Sequence, residues 1–257
     1  MLELCDIYKT FNRGTVNEQA LFTGFSFKAN KGDFVSVVGS NGSGKTTMLN
    51  VISGSIPIDG GRVTLAGQDI TNLPEYKRAA KIGRVFQDPS VGTIPGMTIL
   101  ENMSIAQNKG RPYNLGFAVS KKKYDGFRET VRELDLGLED KMEIPVGLLS
   151  GGQRQAIALL MATMTPISFL ILDEHTAALD PKTAEIIMRI TDRIVKEKKL
   201  TAIMVTHNLR YAVAYGNRML MLNHGNIVLE KNGDEKSATS VDELLSVFNS
   251  ISIECGN

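Results

Sequence analysis

The feature that most restricts the fold is a junction: Phe34-Val35-Ser36-Val37-Val38 runs straight into Gly39-Ser40-Asn41-Gly42-Ser43-Gly44-Lys45-Thr46. The G-x-x-x-x-G-K-[ST] spacing predicts a strand, a tight loop and a helix in that order. Its glycines let successive backbone N–H groups turn inward, and the positive end of the helix starting near Lys45 closes the anion nest they form. Triphosphate oxygens fit such a nest. Lys45 would reach the β- and γ-phosphates as a mobile point charge, and the Thr46 hydroxyl is placed to ligate Mg²⁺.

Strands and helices alternate on both sides of this junction, which predicts an α/β fold. Residues 2–7 and 25–29 read as strands, and Phe11, after the first, is preferred to Tyr8 as an aromatic that could stack on a base. A helix over 46–53 stops at Gly54, and strands follow at 62–65 and 82–86. The second of these ends in Gln87-Asp88-Pro89. Pro89 blocks continuation and leaves Gln87 at a strand-to-loop hinge, where its amide is either a ligand for Mg²⁺ or the attacking water, or an ordinary surface group. From 89 to 146 the character changes to two helices, at 98–107 and 122–134, around a loop at 108–114 rich in Gly, Pro and Asn. Lys121-Lys122-Lys123 reads as a solvated helix start. The apolar group Ile94, Pro95, Met97, Ile99 and Leu100 is either core or an exposed docking surface.

Leu149-Ser150-Gly151-Gly152-Gln153 opens a long helix, with Ser150 as N-cap and paired glycines leaving N–H groups bare for a second phosphate. One nucleotide cannot easily touch both glycine-rich helix starts of a compact domain, so this one is expected to meet a γ-phosphate held by another subunit. Phe169-Leu170-Ile171-Leu172 has the unbroken apolar pattern of a strand buried on both faces in a parallel sheet. It ends in Asp173-Glu174, where α/β proteins place ligands. Asp173 is expected to hold Mg²⁺, and Glu174 to orient and deprotonate water as general base. Ala178-Leu179-Asp180-Pro181 begins a helix to about 198. The strand at 201–206 ends in His207, which can contact a γ-phosphate. His175, directly behind the expected base, could tune it. Strands at 218–223 and 226–230 and a closing helix at 241–249 follow, with no further regulatory domain expected.

Composition narrows the partners. Against 29 basic residues stand 28 acidic ones, so no global field favours nucleic acid or an anionic membrane surface. Cys5 and Cys255 lie at opposite ends in no metal-like spacing, which suits a reducing compartment. No apolar run approaches the roughly 18 residues a spanning helix needs, and no signal-peptide pattern opens the chain.

Together these residues resemble the ATP-binding cassette (ABC) ATPases nearly end to end. The phosphate loop from Gly39 to Thr46, Gln87, the Leu149 to Gln153 motif, Asp173-Glu174, Asp180 and His207 recur in that family's order and spacing. The resemblance implies a RecA-like P-loop NTPase core with a helical subdomain and a small antiparallel β-subdomain. It divides a single 1–257 domain into a core with the β-subdomain, about 1–88 and 147–257, and a helical subdomain, about 89–146. It implies an ATPase that uses ATP and Mg²⁺. Nucleotide contacts fall on Phe11, Gly39, Ser40, Asn41, Gly42, Ser43, Gly44, Lys45, Thr46 and Thr47, and on Ser150, Gly151, Gly152, Gln153 and Asp180. Metal ligation falls on Thr46, Gln87 and Asp173, and catalysis on Glu174, His207, Lys45 and Gln87. Two copies, or this chain and a homologous ATPase, are expected to sandwich two Mg-ATP molecules.

Two positions depart from the family: His175 and Ala177 stand where it commonly has proline and serine. The stretches Val85 to Pro89, Gly147 to Gln153 and Asp173 to Lys182 look like the ATPases of tryptophan/tyrosine-type bacterial importers. The function implied is ATP hydrolysis powering uptake of a small solute, an aromatic amino acid by that likeness. It would work through separate transmembrane permease subunits, docked near Gln87 and the 94–100 cluster, and an extracellular solute-binding protein. The chain would then lie at the cytoplasmic face of the membrane, as a peripheral subunit without nucleic acid. An exporter would use the same ATPase half. A nucleic-acid-associated cassette is disfavoured because about sixty residues between Gln87 and Ser150 are too few for a long coiled-coil arm. A non-catalytic binding module is disfavoured by the presence of Lys45, Glu174 and His207.

Overall fold

Burial on both faces explains the central strands. In the computed structural model, which describes residues 1–110 and 121–254 (without the side chains of 121, 122 and 251–254), six strands form one sheet in the order β10-β9-β3-β8-β7-β6. These are β3 (Phe34–Gly39), β6 (Ile82–Val85), β7 (Phe169–Asp173), β8 (Ala202–Val205), β9 (Arg218–Asn223) and β10 (Asn226–Asn232). From β6 to β9 all neighbours run parallel, and β10 returns antiparallel to β9. Along β7 the side chains divide by period two. Phe169 and Ile171 join one apolar cluster, Leu170 and Leu172 the other.

The first cluster lies under a second, antiparallel sheet of order β2-β1-β4-β5, made of β1 (Leu2–Phe11), β2 (Gln19–Ala29), β4 (Gly60–Leu65) and β5 (Gln68–Asp69). Helix α1 (Lys45–Ser53) packs in the same cluster through Met48, Leu49, Val51 and Ile52. It is followed by the single-turn α2 (Glu75–Arg78). The other face carries α3 (Pro89–Gly92), α4 (Ile99–Gln107), α5 (Lys121–Arg132), α6 (Gly151–Thr163) and α7 (Pro181–Glu197), the longer of them meeting in one apolar cluster with β7 and β8. Three short to medium helices, α8 (Leu209–Ala214), α9 (Gly233–Ala238) and α10 (Val241–Glu254), flank β9 and β10.

Several boundaries move from the sequence reading, for local reasons. Tyr8 to Phe11 belong to β1, because pairing with β2 continues through bulges to Phe11 opposite Gln19. Pro89 ends β6 less than it starts α3: it occupies the first helical turn, with Asp88 accepting from the Ser90 N–H at 2.8 Å. The closing helix extends to Glu254. The 94–100 group splits, with Ile94, Pro95 and Met97 exposed, Leu100 half-buried and Ile99 buried. Buried Asn102 holds that exposed turn from below, accepting from the Ile94 N–H and donating to the carbonyls of Ile94, Met97 and Thr98. Part of the loop at 108–114 and Cys255 lie outside the described residues, as do the side chains of Lys121 and Lys122. Among the described residues no helix is long and apolar enough to cross a membrane.

Candidate active site

Three neighbouring parallel strands deliver the site. Beyond β3 comes the glycine loop, beyond β7 comes Glu174, and beyond β8 comes His207. Backbone bonds tie these strand ends together: Glu174 N–H donates to the Val205 carbonyl (3.0 Å), and Thr206 N–H to that of Val37 (3.2 Å). A pocket of about 230 Å³ lies over them, lined by Phe11, Gln19, Leu21, Asn41, Gly42, Ser43, Gly44, Lys45, Thr46, Thr47, Glu174 and His207. Most of the expected nucleotide contacts therefore meet in one place.

The loop is built for an anion. Gly42 and Gly44 have φ of 76° and 105°, conformations that side chains disfavour, and Gly44 leaves α1 without a side-chain cap. Lys45 is buried, and its Nζ donates at 2.8 Å to the carbonyls of both Gly39 and Ser40. Burial pulls its pKa down, while the Glu174 charge acts the other way. The Ser43 hydroxyl is buried without a hydrogen-bond partner among the described residues, although Ser43 lines the pocket. A buried orphan of this kind at the mouth of a glycine loop fits a phosphate oxygen.

Glu174 and His207 are in direct contact, Oε1 to Nε2 at 2.7 Å, with Glu174 at φ 47°. The left-handed backbone turns the chain sharply just past the strand, and the carboxylate lines the pocket beside Lys45. A carboxylate so placed can accept a proton from water, and the half-exposed imidazole can orient it.

Other expected residues lie elsewhere. Gln87 is exposed, outside the pocket lining. Ser150, Gly151, Gly152 and Gln153 also lie outside it. Ser150 and Gln153 close a reciprocal capping box, each side chain taking the other's N–H at 3.3 Å. Gly152 has a packing reason to be glycine, since a Cβ there would sit 2.1 Å from Thr183 Cγ2 on α7. Asp180 caps α7 by accepting from the Thr183 N–H at 3.1 Å, and its bonds to Thr183 hold its carboxyl below the usual range. His175 bonds to α7. It is buried, with Nε2 3.1 Å from the Thr191 hydroxyl on α7.

Asp173 has a partner the sequence reading missed. Arg84 of β6 meets its Oδ2 at 2.7 Å, and both side chains are nearly buried. Asp173 is not among the residues that line the pocket, and among the described residues its Oδ1 takes no such bond; a hydroxyl such as that of Thr46 and a carboxylate oxygen are the donor types that suit Mg²⁺ completed by phosphate oxygens. The signal for Arg84 was present: a cation inside the four-residue buried strand Ile82–Val85 requires a carboxylate nearby. Gln19 and Leu21 were missed because their place depends on how far β2 pairs with β1.

With the phosphate loop, the strand-end acid and the helix-starting motif on this two-sheet frame, the chain belongs to the ABC transporter family. The family model described as ABC transporter matches residues 22–177. The chain is an ABC transporter ATP-binding subunit and an ATPase. It is 44% identical over 248 residues to a tyrosine transport ATP-binding protein of Clostridioides difficile (strain R20291), covering 96% of this chain and 98% of that one. It is 31% identical to a xylose/arabinose import ATP-binding protein of Sulfolobus acidocaldarius, covering 96% of this chain and 94% of the relative. A bacitracin export ATP-binding protein of Halalkalibacterium halodurans is 29% identical, over 95% of this chain and 94% of its own. Among solved structures, an ABC transporter cassette in its ADP conformation has a TM-score of 0.78 at 27% identity, covering 100% of this chain and 99% of the other. A dimeric cassette in a post-hydrolysis state with ADP and phosphate has a TM-score of 0.76 at 29% identity, covering 90% and 98%.

Proposed function

We propose that this chain hydrolyses ATP to power import of an aromatic amino acid, tyrosine foremost, through separate membrane permease subunits fed by an extracellular solute-binding protein. The observation that carries this reading is the 44% identity, sustained over 96% of the chain, to a tyrosine transport ATP-binding protein. The chain would then sit as a peripheral subunit on the cytoplasmic face. Residues 1–88 and 147–257 would act as the nucleotide-binding core and 89–146 as the helical subdomain, with the membrane subunits docking near Gln87 and the exposed Ile94 and Met97.

In this reading the ATP phosphates lie in the glycine loop, with N–H groups of residues 41–46 and the Ser43 hydroxyl as donors. Lys45 leaves the Gly39 and Ser40 carbonyls for the β- and γ-phosphates, and Phe11 stacks on the base. Thr46 and Asp173, with Gln87 drawn in, would hold Mg²⁺, which supplies charge neutralisation on the phosphates when bound. Glu174 takes the proton of the attacking water, and His207 moves from Glu174 toward the γ-phosphate. Ser150, Gly151, Gly152 and Gln153 of a second subunit, near Asp180, complete the site in an ATP-dependent dimer. The dimeric state of the cassette structure with ADP and phosphate supports this arrangement.

Two measurements test it. Glu174→Gln should keep ATP binding yet lower hydrolysis by about 10² to 10⁴-fold, the usual effect of losing a general base. Near-normal turnover would refute the assignment. In source cells carrying that variant, uptake of labelled tyrosine, tryptophan and phenylalanine should be lost. Unchanged uptake across the panel, with ATPase activity intact in the wild-type protein, would reject the solute and favour export.

A further inference from the structure

Two arginines near the end of α1 are held in contrasting ways. Arg78 is locked: Nε donates to the Leu73 carbonyl, Nη1 to those of Val51 and Ile52, and Nη2 to that of Thr71, at 2.7 to 3.0 Å. Arg84 is held at fewer points. Its Nη2 meets Asp173 at 2.7 Å and its Nη1 reaches the Ser53 hydroxyl at 3.2 Å, but its Nε is buried with no partner among the described residues. Its guanidinium lies 4.7 Å from the Phe86 ring centroid. Beside it is a groove of about 440 Å³ between β6, α4 and α6, whose lining includes Arg84, Phe86, Ile105, Lys109 and Glu75. Unlike Arg78, this arginine keeps an unpaired donor and borders open space.

We infer that Arg84 is a positioning residue that holds Asp173 in competition with the divalent cation, and that it gives up the carboxylate by swinging into the groove. The inference rests on the proposed place of Asp173 beside the metal ion. Two cations sharing one carboxylate weaken each other's hold, and the coupling is reciprocal. The lining of the groove includes Glu75, a second carboxylate for the displaced guanidinium, and Phe86, whose ring the guanidinium already lies against.

The test uses the full chain in a Glu174→Gln background, so that nucleotide is not consumed. Equilibrium dialysis of labelled ATP with EDTA and with Mg²⁺ gives two dissociation constants, whose ratio measures how much the metal tightens binding. Arg84→Met should raise that ratio about tenfold, because the metal then has the carboxylate to itself. Arg84→Lys should fall between, and Asp173→Asn should lower the ratio. With Asp173→Asn already present, adding Arg84→Met should change nothing further. If Arg84→Met folds poorly, Arg84→Lys carries the test. A ratio unchanged or lowered by Arg84 substitution, while Asp173→Asn lowers it, overturns the competition. A ratio indifferent to Asp173→Asn overturns the placement of Asp173 and the inference with it.

Discussion

His175 gives the chain a quantifiable sensitivity to acid. It is fully enclosed between the β7 end and α7, and burial pushes its pKa from 6.5 down to about 4. The Thr191 hydroxyl spends its proton on the Ile187 carbonyl at 2.8 Å, so its oxygen must accept from His175, and Nε2 carries the hydrogen. A neutral ring is therefore what the fold accommodates. Because the folded pKa lies below the unfolded one, this contribution is intact above pH 6.5 and is lost as pH falls toward 4, where the unfolded chain binds a proton that the folded one refuses. Linkage over that interval gives about 2 kcal/mol lost by pH 5 and about 3 kcal/mol at full extent. The comparison protein is His175→Gln, which has no titrating group there; its absolute stability will differ, but its other histidines are the same and cancel. Urea unfolding at 25 °C should show the stability difference between wild type and variant shifting by about 2 kcal/mol against wild type between pH 7 and pH 5. Parallel pH profiles would refute the reasoning.

Two further outcomes concern packing around the site. Arg78→Met strands four carbonyls, two of them at the end of α1, and should lower stability by roughly 3 kcal/mol or more; a thermal midpoint within about 2 °C of wild type would show the anchor to be idle. Gly152→Ala drives a methyl to within 2.1 Å of Thr183 Cγ2, a stiff β-branched side chain, and should cost about 1 to 3 kcal/mol in urea unfolding. Gly151→Ala meets only the flexible tip of Leu179 at 3.3 Å and should cost much less, so equal losses at the two glycines would contradict the packing account.

The parts of the site legible in the sequence were those fixed by local spacing. Gly39 to Thr46 dictates a strand, a turn and a helix through backbone sterics alone, and the unbroken Phe169 to Leu172 run declares a strand covered on both faces. From there Glu174 and His207 follow as the next residues after parallel strands. Their mutual contact did not follow, because it depends on β7 and β8 being neighbours in register, Asp173 opposite Val205. Arg84 was hidden for the same reason: its partner lies 89 residues away across a strand pair. The glycine pair at 151–152 misled in part, since glycine was read as bareness toward phosphate when Gly152 also answers to the close approach of α7. Spacing reports what the backbone must do, and register decides which side chains meet.

The charges at the site share one further property. Lys45 rests on two carbonyls, Glu174 on His207, and Asp173 on Arg84, so each of these three charged groups already has a partner within the chain. Leaving such groups buried and bare would make the site unstable without ligand and its grip on nucleotide hard to reverse. With internal partners, nucleotide binding becomes an exchange, in which new contacts replace old ones and only the difference appears as affinity. The glycine loop, whose backbone is already turned toward an anion, supplies the part of the interaction that needs no exchange. In the proposed mode of binding, rigid backbone donors would set where phosphate binds and exchangeable side-chain pairs how readily it leaves, which is what a subunit that must bind, hydrolyse and release in every cycle requires.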